Sequence, residues 1–267
     1  MTPPARARGV LRPGVAPGRW DLTLHDPAPD LAPWVEYHWI VRWDLRGRPS
    51  HRQEVLSHPN VHLVFEKPHA AVHGVVRDVF ARELVDAGHV FGVRFRAGAA
   101  RPFLPVPISE LTDRARPATG LFGPDIARTN AAILAADDEH DRVDLAEARL
   151  RAILETHPGA ADPLVAEVTA IVDHIVATPT LLRVDDVAAA TGVTVRRLQR
   201  LFAEYVGVGP KWVLRRARLH EIVARAATGA PIDWAGLAAD LGYADQAHLV
   251  RDFTATVGTT PARYTRT

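Results

Sequence analysis

From Tyr37 to Phe95 the apolar residues come in short runs parted by turn residues: YHWIVRW, VHLVFEK, AAVHGVV, ARELVDAG and VFGVRF. In VHLVFE, Val61, Leu63 and Phe65 alternate with His62, Val64 and Glu66, and a period of two puts the first three on one sheet face. Several such runs at close spacing predict a small antiparallel barrel or sandwich. Residues 1–33, rich in Pro, Gly and Arg, predict a poorly ordered or wrapping arm. Past Pro107 the period lengthens. Gly123-Pro124 can open a helix, since Pro fits a first turn, and Ile126, Ile133 and Leu134 follow. A second helix is expected from about Asp141 to Thr156. Val143, Leu145, Leu150, Ile153 and Leu154 form its apolar stripe, and His157-Pro158-Gly159 stops it. From Pro163 onward only helical patterns and short turns remain. The fold class read from this is α+β in two domains with a boundary near 158–163. Residues 1–160 form the β-rich domain with a helical segment at 124–157, and residues 163–267 form an all-α domain.

The all-α part repeats itself. VDDVAAATGVTVRRLQRLFAEYVGVGPKW begins at Val184, and IDWAGLAADLGYADQAHLVRDFTATVGTTPARY begins at Ile232. Val187, Ala188 and Gly192 match Leu237, Ala238 and Gly242. Thr194, Leu198, Phe202, Gly207 and Pro210 then match Asp245, Leu249, Phe253, Gly258 and Pro261 after one inserted residue. Each copy has the parts of a helix-turn-helix. A small residue lets another helix come close, a glycine takes the chain out of the first helix, and Thr194 or Asp245 caps the second. Leu198 and Phe202, like Leu249 and Phe253, lie four apart and anchor that second helix.

The other face of each second helix is polar: Arg196, Arg197, Gln199 and Arg200 in one copy, Gln246, His248 and Arg251 in the other. Arginine and glutamine can make paired hydrogen bonds to guanine and adenine in the major groove. A lone arginine-bearing helix is more often a solvated face; cap, anchor and arginine recurring together favour a recognition helix. A connecting helix from about Pro210 to Ala227 adds Lys211, Arg215, Arg216, Arg218 and Arg225. From Arg196 to Arg225 eight basic residues face only Glu204 and Glu221, a local balance of +6 in a chain whose net charge is +1. Such a concentration suits phosphate contacts.

LAADLGYADQAHLVRDFTATVGTTPARY resembles the second helix-turn-helix of the AraC/XylS regulators, through Leu237, Ala238, Gly242, Tyr243, Phe253, Gly258, Thr260, Pro261 and Tyr264. The first unit fits more loosely, through Val187, Ala188, Leu198, Phe202 and Gly207. The likeness spans about residues 165–266. It implies a seven-helix DNA-binding domain with two recognition helices, and base-reading roles for Arg196, Gln199 and Arg200 and for Gln246, Ala247, His248 and Arg251. Arg197, Lys211 and Arg215 complete the expected DNA-binding set. Leu249 and Val250 depart from the family pattern, and Ala247 can offer thymine only a methyl group. The N-terminal half resembles the cupin-like sensor domains that precede such units, with GVRFRAGAARPFLPVPISELTDR similar to a segment of one sensor group. The resemblance implies a transcription regulator that is not an enzyme, with double-stranded DNA as partner. It also admits a small-molecule effector, RNA polymerase and a second copy of the chain, whose interface would lie on the helices at 124–156 unless these pack on their own barrel.

Other chemistry is thinly represented. The chain has no cysteine, which excludes disulfides, thiolate metal sites and a cysteine nucleophile. No phosphate-binding glycine loop or Gly-x-Ser-x-Gly elbow occurs. Lys67 and Lys211 are the only lysines. The N-terminus lacks the apolar core of a secretory signal, and no apolar run nears the ~20 residues of a membrane span, so a cytoplasmic protein is expected. His51, His58, His62, His69, His73 and His89 cluster in the first half. His58, His62 and Glu66, evenly spaced, would share a face of one continuous strand and could hold a metal. That is the basis of the alternative reading, a cupin-type metal-dependent enzyme with an accessory helical domain. Pro59 and Asn60 argue against such a strand, and no cofactor is expected. A third alternative is an adaptor whose repeat binds protein. Trp34, Tyr37, Trp39 and Trp43 either line a ligand pocket or, as is commoner, fill a core. Asp137, Asp138 and Glu139 read as a solvated loop.

Overall fold

The computed structural model describes residues 9–11, 20–156, 162–228 and 230–265. Eight strands come first: β1 (Trp20–His25), β2 (Val35–Asp44), β3 (His51–Leu56), β4 (His62–Phe65), β5 (Ala71–His73), β6 (Val79–Leu84), β7 (Ala87–Phe95) and β8 (Ala115–Pro117). Six form one antiparallel sheet in the order β1-β2-β7-β4-β5-β8, and β3 and β6 pair as a separate ribbon. The result is an open, sandwich-like arrangement rather than a closed barrel.

The period-two reading of 61–66 holds. Leu63 and Phe65 are fully buried with Ile40, Phe91 and Val93 in a core that includes Ile126, Ile133, Leu150 and Ile153. These last four come from α2 (Asp125–Ala135) and α3 (Glu139–Thr156), which follow the short α1 (Thr119–Phe122). The stripes of α2 and α3 are thus consumed by the chain's own sheet, which removes the sequence-based reason for a dimer interface there. Leu145, expected in the stripe, is 36% exposed. His38 and Glu147 are buried between sheet and α3, with His38 Nε2 3.1 Å from Glu147 Oε1.

From Trp20 onward the N-terminal segment corrects the expectation of a poorly ordered or wrapping arm. Trp20–His25 is an edge strand in register with β2, and Leu31 is buried. The alternation of Trp20, Leu22 and Leu24 carried the signal, and the surrounding Pro and Gly masked it. Leu11 joins the core of the helical half, while Val10 bridges Val55 of β3. The rest of the expected arm, and most of the expected boundary at 158–163, lies outside the described residues.

The helical half runs α4 (Leu164–Ala177), α5 (Val184–Thr191), α6 (Val195–Leu201), a π-helical turn (Phe202–Val206), α7 (Pro210–Ala227), α8 (Trp234–Asp240), α9 (Gln246–Val257) and α10 (Pro261–Tyr264). One core joins α4, α6 and α7 to Val75, Ala97 and Ala99 of the β-rich half. A second surrounds Leu219, Ile222, Leu237, Leu249 and Phe253. Specific bonds cross between the halves: Arg101 Nε to Glu204 at 2.6 Å, Thr112 Oγ1 to the Gly207 carbonyl at 2.6 Å, and Arg216 to the Arg77 carbonyl at 2.5 Å.

Candidate nucleic-acid interface and N-terminal cavity

Both repeat copies fold as helix, turn, helix. Gly192 and Gly242 sit at φ 69° and 66°, a backbone state that other residues enter only with strain, and each ends the first helix of its unit. Thr194 then caps α6 by accepting from the Arg197 amide at 3.3 Å, and Asp245 caps α9 by accepting from the His248 amide at 2.6 Å. Leu198, Phe202, Leu249 and Phe253 are fully buried. With one face anchored so, Arg196, Arg197, Gln199 and Arg200 are left exposed on α6, and Gln246, Ala247, His248 and Arg251 on α9.

The basic residues separate into two groups. Arg196, Arg200, Arg251 and the exposed Lys211 make no ion pair among the described residues. The others are tied down. Arg197 donates to both carboxylate oxygens of Glu167 on α4, at 3.1 and 3.0 Å. Arg215 donates to Asp252 at 2.7 Å and to Thr256 at 3.1 Å, which fixes α9 on α7. Arg225 pairs with Glu221. Arg218 lies 4.9 Å above the Tyr243 ring, and Tyr243 donates its hydroxyl to Asp252. Arg216 is buried on the Trp212 ring, and desolvation lowers its pKa to about 10. The local +6 is therefore not one phosphate-facing surface; much of it braces the helices.

The β-rich half holds a cavity of about 220 Å³ between the six-stranded sheet and the β3–β6 ribbon. Its walls are largely apolar, with Trp20, Leu22 and Leu24 from β1, Trp39 and Trp43 from β2, and Phe80 from β6. Trp39 and Trp43 therefore line a pocket, and Trp34 packs into cores instead. Two glycines make room for these indoles. Gly92 and Gly88 lie opposite Trp39 and Trp43 in the β2–β7 register, and a Cβ on either would strike the facing indole. One end is polar. His62, His73 and Arg94 line it, His62 facing His73 across β4–β5 and Arg94 across β4–β7. Arg94 donates to Glu36 at 2.8 Å, to Tyr37 Oη at 3.0 Å and to Asn60 at 3.0 Å. Arg82 pairs with Glu66. Desolvation, with Arg94 nearby, depresses His62 to about 3.

The strand on which a metal site would rest is absent. β4 begins at His62; His58 lies before it, stacked on His220 of α7 at 3.6 Å, and Glu66 follows it. Among the described residues no group of three His, Asp or Glu side chains is placed to hold a metal. No described helix is long and apolar enough to cross a membrane.

Residues 187–267 match a family model described as a helix-turn-helix domain, and residues 23–117 match one described as a domain of unknown function. No curated protein matches the chain. Solved structures that resemble it include ToxT from Vibrio cholerae in several forms. An apo variant is 12% identical with a TM-score of 0.37, over 97% of this chain and 95% of that one. A second crystal structure is 10% identical with a TM-score of 0.42, over 93% and 98%. Wild-type ToxT bound to an unsaturated fatty acid is 10% identical with a TM-score of 0.40, over 92% and 91%.

Proposed function

We propose that this AraC-type helix-turn-helix protein is a sequence-specific DNA-binding transcription regulator whose N-terminal cavity receives a small-molecule effector. The observation that carries the reading is the duplicated unit: two capped, core-anchored helices, each leaving an arginine at the same repeat position exposed, Arg200 on α6 and Arg251 on α9. We assign base reading to Arg196, Gln199 and Arg200 and to Gln246, Ala247, His248 and Arg251. Lys211 is assigned to a phosphate. Arg197 and Arg215 join them only by exchanging their carboxylate partners, Glu167 and Asp252, for phosphate. The DNA-binding part is taken as residues 163–267 and the effector part as residues 1–160.

The test is a gel-shift of the full chain on the upstream region of its own gene across a salt series. Retardation that weakens steeply with salt is expected. Arg200→Ala and Arg251→Ala should each cost about 1–3 kcal/mol and relax base preference, whereas Lys211→Ala should weaken all sequences alike and flatten the salt slope. If neither arginine variant alters binding, α6 and α9 are not the readers. An adaptor that binds protein through the repeat would show no salt-sensitive shift at all.

A further inference from the structure

The cavity walls specify a ligand chemistry, an argument that rests on the regulator reading for its biological meaning but not for its geometry. Size comes first. A cavity of about 150 Å³ accepts benzene, so about 220 Å³ suits a molecule of roughly ten non-hydrogen atoms. Shape comes next. Trp39 and Trp43 cover Gly92 and Gly88, so their indoles form flat walls, and Trp20 and Phe80 add two further rings. Aromatic walls favour flat aromatic guests.

Charge is already settled inside the protein. Arg94 is neutralised by Glu36 and bonded further to Tyr37 and Asn60, and Arg82 is paired with Glu66. No lining arginine is left to meet a carboxylate, and a buried unpaired anion is costly. One donor remains. The Trp39 indole N–H can only donate, and it points at His62 Nδ1 at 3.2 Å. His62 must accept there, so it is neutral and carries its proton on Nε2. Among the described residues no group accepts from that N–H. Beside it, the buried His73 Nε2 has no hydrogen-bond partner and lies 3.8 Å from Glu66.

We propose that the cavity binds an uncharged, flat aromatic molecule of about ten non-hydrogen atoms, its single hydrogen-bond acceptor placed against the His62 Nε2–H. Three probes built on one flat two-ring frame test this on the full-length chain by calorimetry and tryptophan fluorescence: quinoline, naphthalene and the carboxylate-bearing 2-naphthoate, at about pH 8, where quinoline is uncharged. Quinoline should bind, naphthalene about tenfold more weakly for want of the acceptor, and 2-naphthoate not measurably. His62→Leu should erase the preference for quinoline over naphthalene. His62→Gln, which can accept from Trp39 and still donate, should restore it. Equal binding of quinoline and naphthalene, tighter binding of 2-naphthoate, or no binding by any probe overturns the proposal, and the wild-type series decides this even if a variant fails to fold. A gel-shift on the same preparation keeps the two readings apart: shifted DNA without probe binding sinks only the ligand class, and probe binding without shifted DNA sinks only the regulator.

Discussion

One side-chain oxygen starts the second helix of each unit, and its removal leaves helix amides without a partner. Asp245 accepts from the His248 amide at 2.6 Å, so Asp245→Ala should lower stability by about 1 kcal/mol, while Asp245→Asn should hold near the native value. Thermal unfolding of the two variants checks this, and equal melting of both would remove the cap from the account. A second residue-scale effect is acid lability. His62 is depressed to about 3, and His38 and His89 are also lowered, all three chiefly by desolvation. In the unfolded chain such histidines take up a proton near pH ~6.5. Between that value and about 3 the unfolded state binds more protons, so stability is greatest above pH ~6.5 and declines as pH falls. Urea midpoints at about pH 7.5 and 5.5 should therefore differ, and His62→Gln should shrink the difference without abolishing it, since His38 and His89 still contribute.

At the scale of elements, pattern alone exposed what is local and missed what depends on pairing. The capped helices, the glycine exits and the buried Leu198, Phe202, Leu249 and Phe253 follow from spacings of three and four within one segment. β1 went unread because the Pro and Gly of its surroundings outweighed the alternation of three apolar residues, Trp20, Leu22 and Leu24. The cavity was not legible for a deeper reason. Trp39 and Gly92 are 53 positions apart in the chain, and only the antiparallel register brings an indole over a residue without a Cβ. The local +6 likewise hid its partners: Arg215, Arg216 and Arg218 look like phosphate ligands in sequence, but residues distant in the chain engage them, Asp252, the Arg77 carbonyl and Tyr243. The glycine beneath Trp39 supplies the prediction at this scale. Gly92→Ala must displace the Trp39 indole, which should cost about 1–3 kcal/mol. It should also break the indole bond to His62, so quinoline affinity should fall with stability. Denaturant unfolding and calorimetry on the same variant check both, and unaltered ligand affinity would mean that Trp39 does not shape the site.

For the whole molecule the question is how a filled cavity could alter a DNA-binding surface carried by other helices. Two chain segments touch both. His58 lines the cavity and stacks on His220 of α7 at 3.6 Å, and the segment with Val10 and Leu11 runs from the cavity wall into the α7–α9 core. α7 in turn holds α9 through Arg215 and Asp252. The cavity wall and α9 are thereby linked through α7, and any coupling between ligand and DNA must be reciprocal. Quinoline should shift operator affinity by a factor of about 5–150, and operator should shift quinoline affinity by the same factor in the same direction. His220 does not line the cavity, so His220→Ala separates transmission from binding. The variant should keep wild-type quinoline affinity in the absence of DNA and wild-type operator affinity in the absence of quinoline, yet each should cease to influence the other. Paired titrations by calorimetry and fluorescence anisotropy measure all four affinities. Coupling that survives in His220→Ala would place the route in the other links between the halves: the Val10–Leu11 segment, Arg216 on the Arg77 carbonyl, Thr112 on Gly207 and Arg101 on Glu204.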